Sequence, residues 1–350
     1  MRLPNRKPAI NFAKEYCIIL AILLGFVLVS VSLGPYSNFD TQTEYAAAAS
    51  TAQVGLPYAT PGNLINQPPI AFYIYGFFLR VFGLSYATGV AAATLFGVGC
   101  VFFVYLIGKS VYGVRTGLVA AGLFALIPWH IVLSRSFLID VPCLFLSLAS
   151  LFTGILAIQK ASLRFVLVSG MLFGLAFLTK LFAVFTLIPL TLVFMYYTRK
   201  NLKRGLRQIV LFSLPPILMY YLWYETISEL GFFSVLAHGD FLNFTKPVTP
   251  SPFFLSNYLI NNLGFWLLLC VAVSIILSIS MRKESPKTSF FDLVCVVTIL
   301  GTVGVNMFLV LGRGLWVPYV DPVKYDYQLL PSICWLASSL VYKTDSFFES

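Results

Sequence analysis

The residues able to do chemistry are few, and they fall in short stretches of this 350-residue sequence. The first stretch is Ser37-Asn38-Phe39-Asp40-Thr41-Gln42-Thr43-Glu44-Tyr45. Asp40 and Glu44 are four residues apart, so on a helix the two carboxylates share a face. Such a pair could act as a base, bind a metal, or be solvated. Next comes Gln67 before Pro68-Pro69, followed by the aromatics Phe72, Tyr73, Tyr75, Phe77 and Phe78. A third stretch, Ser134-Arg135-Ser136-Phe137-Leu138-Ile139-Asp140, puts opposite charges around one short turn between apolar runs. The bland reading of that spacing is an Arg135–Asp140 ion pair; the functional one is a site at the membrane surface. Lys180, in Leu178-Thr179-Lys180, either snorkels outward or binds an anion. The last stretch runs Lys324-Tyr325-Asp326-Tyr327-Gln328-Leu329-Leu330-Pro331. Of the two histidines, His130 beside Trp129 reads as an interfacial anchor, and His238 lies in a loop where it could line a site.

The elements that position these residues are set by composition. Hydrophobic residues make up 59% of the chain and charged ones only 10%, against about 25% charged in soluble domains. Mean hydropathy is +0.88. A soluble fold of this length lacks the polar surface to cover its core, so a polytopic all-α membrane protein is expected. The six cysteines, Cys17, Cys100, Cys143, Cys270, Cys295 and Cys334, lie in apolar runs without metal or redox spacing and read as packing residues. Phosphate-binding glycine loops and lipase elbows are absent.

Apolar runs at 16–33, 86–107, 116–133, 141–158, 181–197, 209–224, 259–281 and 290–311 suit membrane spans. Two shorter runs, 165–178 and 329–342, suit helices that border a cavity. Together they give ten crossings if 68–82 lies along the membrane surface instead of spanning it. That topology puts 17 of the 23 Lys and Arg residues on the N-terminal side and leaves six on the other, as the positive-inside rule requires. The N-terminus is then cytoplasmic, and the net charge of +10 reflects inner loops instead of nucleic-acid binding. Eight of the 13 acids face outward, along with the three long loops 34–85, 225–258 and 312–328. No internal repeat or separate soluble domain is read, so residues 1–350 form one domain with interfacial helices in 34–85. The Asn243-Phe244-Thr245 sequon falls on the outer side.

The order and spacing of these pieces resemble a family. An acid after the first span is followed by a Pro-Pro aromatic segment ending in Phe82-Gly83. Tyr112-Gly113-x-Arg115 comes next, then Ser134-Arg135 with Asp140, and then Gly174-Leu175-Ala176-Phe177-Leu178-Thr179-Lys180. A Tyr-x-Leu-Leu-Pro ending at Pro331 closes the series. The set resembles the GT-C glycosyltransferases, in the branch of the protein O-mannosyltransferases and the aminoarabinose–lipid A transferases, over roughly residues 30–335.

The resemblance implies a membrane enzyme that moves a sugar, with inversion, from a polyprenyl-phosphate or dolichyl-phosphate donor to a hydroxyl acceptor on a protein, lipid or glycan. The reaction is expected at the outer face of a cell membrane, or the lumenal face of the endoplasmic reticulum in a eukaryote. On that reading Asp40 is the general base, with Glu44 and Asp140 in the catalytic set. Arg135, Lys180 and Lys324 are candidates for the donor phosphate, and Gln67, His238, Tyr325 and Tyr327 for substrate contact. No cofactor is required by the sequence; a divalent cation, Mg or Mn, held by Asp40 and Asp140 is the candidate. Two departures stand out: Thr41 where relatives often carry an acid, and Gln67 where they often carry Lys or His before Pro-Pro. They keep open a non-catalytic scaffold with the same fold. A transporter is the other alternative, and it predicts repeats and charges near the bilayer midplane.

Overall fold

The computed structural model describes residues 12–65, 67–198, 201–229, 263–281, 286–313 and 327–348. It is helical almost throughout. Helix α1 (Phe12–Ser32) is followed by α2 (Phe39–Val54), a small hairpin of β1 (Tyr58–Thr60) and β2 (Asn63–Leu64), and α3 (Ile70–Phe82). Then come α4 (Tyr86–Tyr112), α5 (Val114–Leu126), α6 (Pro128–Ser134), α7 (Asp140–Gln159) and α8 (Leu163–Phe177). A 3-10 turn, Leu181–Thr186, leads into α9 (Leu187–Thr198), and α10 (Leu202–Glu229) follows. The series continues with α11 (Phe265–Ser280), α12 (Pro286–Arg313) and α13 (Leu330–Phe348).

Six helices among the described residues are long and apolar enough to cross a bilayer, seven if α5 and α6 count as one bent span. The ten expected crossings are not reached by that measure, because α8 and α11 have only 15 and 16 residues and α13, at 19 residues, is not apolar enough along its length. Residues expected as one span at 116–133 are broken. Pro128 forces Ile127 into extended backbone, and α5 and α6 meet at 66°. Leu24 and Leu28 on α1, Ile217 on α10 and Ile279 on α11 are large apolar side chains left exposed. In water such a surface would aggregate; around a membrane bundle it is the lipid face. The chain is an integral multi-pass membrane protein.

Small residues let the helices approach closely. A Cβ on Gly117 would lie 2.7 Å from the Lys109 backbone nitrogen, and one on Gly170 would lie 2.2 Å from the Phe212 carbonyl oxygen. These contacts close α4 on α5 and α8 on α10. Gly113, at φ +103, makes the turn between α4 and α5, a backbone region that disfavours side chains. Helix α13 is buried against α4, α5, α11 and α12. Its Trp335 is buried and donates to the Val104 carbonyl at 3.0 Å.

One end of the bundle is pinned by buried polar groups. Glu15 of α1 accepts from Tyr105 and Lys109 of α4. Asp292 of α12 accepts from Tyr112 at 2.5 Å and from Ser278 at 2.6 Å, and pairs with Lys343 of α13 at 3.0 Å. Buried ions must be paired in an apolar medium, and these link five helices. Four cysteines are buried in packing as expected, whereas Cys17 is exposed on α1 and Cys270 is half-buried.

Candidate active site

The opposite end of the bundle holds the candidate site, and α2 opens it. Asn38 caps this helix: its side-chain oxygen accepts from the Thr41 N–H at 3.0 Å, and Thr41 Oγ1 accepts from the Asn38 N–H at 2.8 Å. This reciprocal capping box buries Thr41 completely. The position where an acid was expected therefore serves to start the helix. Asp40 follows the cap in the first turn, half-exposed.

Glu44 lies one turn further along and turns inward, 4% exposed. Its Oε2 accepts from the Ile139 N–H at 2.8 Å, at the start of α7. The four-residue spacing does place both acids on one helix, but Glu44 holds the neighbouring loop. Tyr75 of α3 holds the same loop from another side. Its hydroxyl donates to the Leu138 carbonyl at 2.8 Å, and its ring lies 4.3 Å from that of Phe137. Burial, followed by the charge of Glu44, pushes the Tyr75 phenol well above its ordinary range, so it stays protonated and keeps donating.

The loop so held presents Asp140 in the first turn of α7. Lys180 Nζ donates to Asp140 Oδ1 at 2.7 Å, with the two side chains 15% and 2% exposed. Asp140 Oδ2 is buried without a hydrogen-bond partner among the described residues. Lys180 projects from the break between α8 and the 3-10 turn, where its own backbone is extended. The Ile70 N–H donates to the Leu178 carbonyl at 3.0 Å, so the Gln67-Pro68-Pro69 segment abuts the turn that carries the lysine. Gln67 is half-buried there.

Arg135 does not pair with Asp140. Its Nη1 donates to the carbonyls of Leu33 at 3.0 Å and Gly34 at 2.8 Å, beyond the end of α1, and its guanidinium lies 5.8 Å from the Tyr36 ring centre. The C-terminus of α1 carries partial negative charge, which draws the cation away from the turn. Tyr327 is buried, 1% exposed, with its hydroxyl 2.6 Å from His130 Nδ1. It packs inward and is not open to a substrate. His130 is completely buried and stacked 4.8 Å from Phe26, so the expected interfacial anchor is a core residue instead. The aromatic residues Phe26 and Tyr327 that enclose it come from far along the chain, so local spacing gave no signal. Lys324, Tyr325, His238 and the Asn243 sequon lie outside the described residues, as does most of the loops 225–258 and 312–328.

No group of three His, Cys, Asp or Glu side chains with metal-binding geometry occurs among the described residues. A magnesium-like ion needs fewer protein ligands, typically one or two carboxylates plus phosphate oxygens. The unpartnered Asp140 Oδ2 fits that role, and Asp40 is the other candidate ligand.

Residues 66–223 match the family described as dolichyl-phosphate-mannose-protein mannosyltransferase. YycA of Bacillus subtilis strain 168, which carries a provisional mannosyltransferase name, is 29% identical over 202 residues, covering 55% of this chain and 30% of the relative. YkcB of the same organism, also provisionally named a mannosyltransferase, is 26% identical over 183 residues, covering 49% and 26%. Among solved structures, apo ArnT from Cupriavidus metallidurans superposes with a TM-score of 0.68 at 15% identity, covering 94% of this chain and 60% of ArnT. The oligosaccharyltransferase AglB from Archaeoglobus fulgidus, solved with an inhibitory peptide and a dolichol-phosphate, gives 0.61 at 14% identity, covering 97% and 52%. The chain thus spans less than a third of the curated relatives and about half of AglB. Its fold is that of the GT-C membrane glycosyltransferases.

Proposed function

We propose that this chain forms the membrane-embedded part of an inverting glycosyltransferase that takes a sugar, with mannose the first candidate, from a polyprenyl-phosphate donor. The acceptor is a hydroxyl on a protein, lipid or glycan, and the reaction occurs at the outer membrane face. The observation that carries this reading is the buried Asp140–Lys180 pair, with one carboxylate oxygen left without a hydrogen-bond partner among the described residues, at the same end of the bundle as Asp40. A structure of ArnT bound to undecaprenyl phosphate, which covers 94% of this chain at a TM-score of 0.66, supports the donor class.

In this reading the acceptor hydroxyl attacks the anomeric carbon from the side opposite the phosphate. The new carbon–oxygen bond forms as the bond to the phosphate oxygen breaks, and the polyprenyl phosphate leaves with the electron pair. Asp40, half-exposed, takes the acceptor's proton. Lys180 stabilises charge growing on the phosphate, while Asp140 fixes the lysine's position. A divalent cation, if one takes part, adds positive charge at Asp140 Oδ2 and Asp40. Arg135 acts at a distance by holding the turn before Asp140 to the end of α1.

The test uses the purified full chain with mannosyl-phospho-undecaprenol and mannosyl-phospho-dolichol, reading both sugar transferred and polyprenyl phosphate released. Asp40→Asn is expected to lower turnover about 10²- to 10⁴-fold while leaving donor binding intact. Turnover unchanged in that variant would remove Asp40 from the role of base. Because Thr41 is spent on a cap and position 67 is Gln, a scaffold without activity is the second reading. Donor bound without turnover by the unaltered chain, across a panel of acceptors, would favour it.

A further inference from the structure

At the end of the bundle away from Asp40, helices α4, α7, α9 and α12 enclose a cavity of about 190 Å³. Its floor is apolar, formed by the buried Ile155, Val193 and Phe291; its mouth carries the exposed Gln159, Tyr197 and Lys287. An apolar cavity of about 150 Å³ is enough to take up a benzene-sized hydrocarbon. The site is remote from the proposed chemistry. Helix α7 runs from Asp140 to Gln159, and that many residues rise about 30 Å, the thickness of the hydrocarbon core.

The charge at this end is one-sided. Lys14, Lys109, Arg115, Lys160, Arg164, Lys203, Arg204, Arg207, Lys287 and Lys343 gather here among the described residues, against Glu15, Asp292 and Asp345. Each of these acids already holds a base: Glu15 holds Lys109, Asp345 holds Arg115, and Asp292 holds Lys343. Lys287 therefore stands at the cavity mouth within an excess of positive charge. A cavity with a hydrocarbon floor and a cationic rim between membrane helices matches a ligand that is apolar at one end and anionic at the other.

We propose that this cavity binds an anionic glycerophospholipid of the adjoining leaflet, with one acyl chain on the floor of Ile155, Val193 and Phe291 and the headgroup phosphate against Lys287. The occupant rests on the cavity and its charge, and does not depend on the transferase reading. A lipid held there bridges α12 to α4, α7 and α9, and so steadies the bundle from the end opposite the active site.

The experiment delipidates the full chain and places it in phosphatidylcholine nanodiscs with and without phosphatidylglycerol. Bound lipid is then counted by native mass spectrometry. Phosphatidylglycerol is expected to be retained over phosphatidylcholine. Lys287→Gln, at an exposed position, is expected to reduce that retention about fivefold, the effect of one basic residue near an anionic lipid. Val111→Trp, which fills the cavity, is expected to abolish retention whatever the headgroup. Equal retention of the two lipids, or retention of phosphatidylglycerol unchanged by Lys287→Gln, would overturn the proposal. So would displacement of phosphatidylglycerol from the cavity by added undecaprenyl phosphate. Sugar transfer by Asp40→Asn addresses the other proposal, so the two can fail separately.

Discussion

At the scale of single residues, the proposed function separates groups that would face the reaction from groups that hold them. Glu44 belongs to the second kind, because its carboxylate is committed to the Ile139 N–H. Glu44→Gln keeps an oxygen that can accept this bond, so the variant is expected to retain most of its turnover. Glu44→Ala leaves a buried N–H without a partner and is expected to cost about 1–3 kcal/mol of stability. Comparing turnover and thermal unfolding of the two variants decides the matter; a dead but well-folded Glu44→Gln would restore Glu44 to the chemistry. Lys180 is tested differently. Lys180→Met leaves Asp140 as an uncompensated buried charge and is expected to lose about 3–5 kcal/mol. Adding Asp140→Leu should recover the stability without recovering transfer. The residue types were legible in the sequence, since few charges in an apolar chain are easy to pick out. Their partners were not. Asp140 and Lys180 are 40 residues apart, and Arg135 reaches 101 residues back to Gly34. Local spacing suggested the Arg135–Asp140 pair instead, and the negative end of α1 wins that competition.

At the scale of elements, α2 and α3 act together as a brace on the loop before α7. The brace has two bonds, Glu44 to Ile139 and Tyr75 to Leu138. Tyr75→Phe removes the second and is expected to cost about 0.5–1.5 kcal/mol, with kcat falling more than donor affinity as Asp140 loses its fixed position. Parallel measurements of kcat and donor binding check this. The approach of α8 to α10 gives a harsher case. A methyl group at position 170 would collide with the Phe212 carbonyl, so Gly170→Ala is expected to lower the thermal unfolding midpoint in detergent. That helix pair also carries Lys180, which follows α8, so transfer should fall with it. Apolar runs and the Pro-Pro signal made most helices legible in advance. The break at Pro128 was missed because the run 116–133 stays apolar across it, and hydropathy does not register a change of direction.

At the scale of the whole molecule, charge divides the chain into two unlike ends. One carries the paired acids Glu15, Asp292 and Asp345 among many bases; the other carries Asp40, Glu44 and Asp140. By the positive-inside rule we propose that the basic end faces the cytoplasm. In a chain with Cys17 replaced by Ser, Asn63→Cys is expected to react with an impermeant thiol reagent applied from outside the cell. Lys160→Cys is expected to react only after the membrane is opened. The reverse pattern would move the proposed chemistry to the other face. Composition alone was enough to read a membrane bundle here, because 10% charged residues leaves no other way to fold 350 residues.

The contacts of α13 also bear on the order in which the molecule is made. Trp335 and Lys343 reach α4, α11 and α12, yet they are synthesised after all three. Helices α4, α5, α7, α8 and α10 pack on one another without α13, so that part of the bundle needs nothing from it. Asp292 is different, because its ammonium partner Lys343 comes only with α13. The buried charge cluster is therefore completed after its acid is already in the bilayer, and Tyr112 and Ser278 are what hold the carboxylate until then.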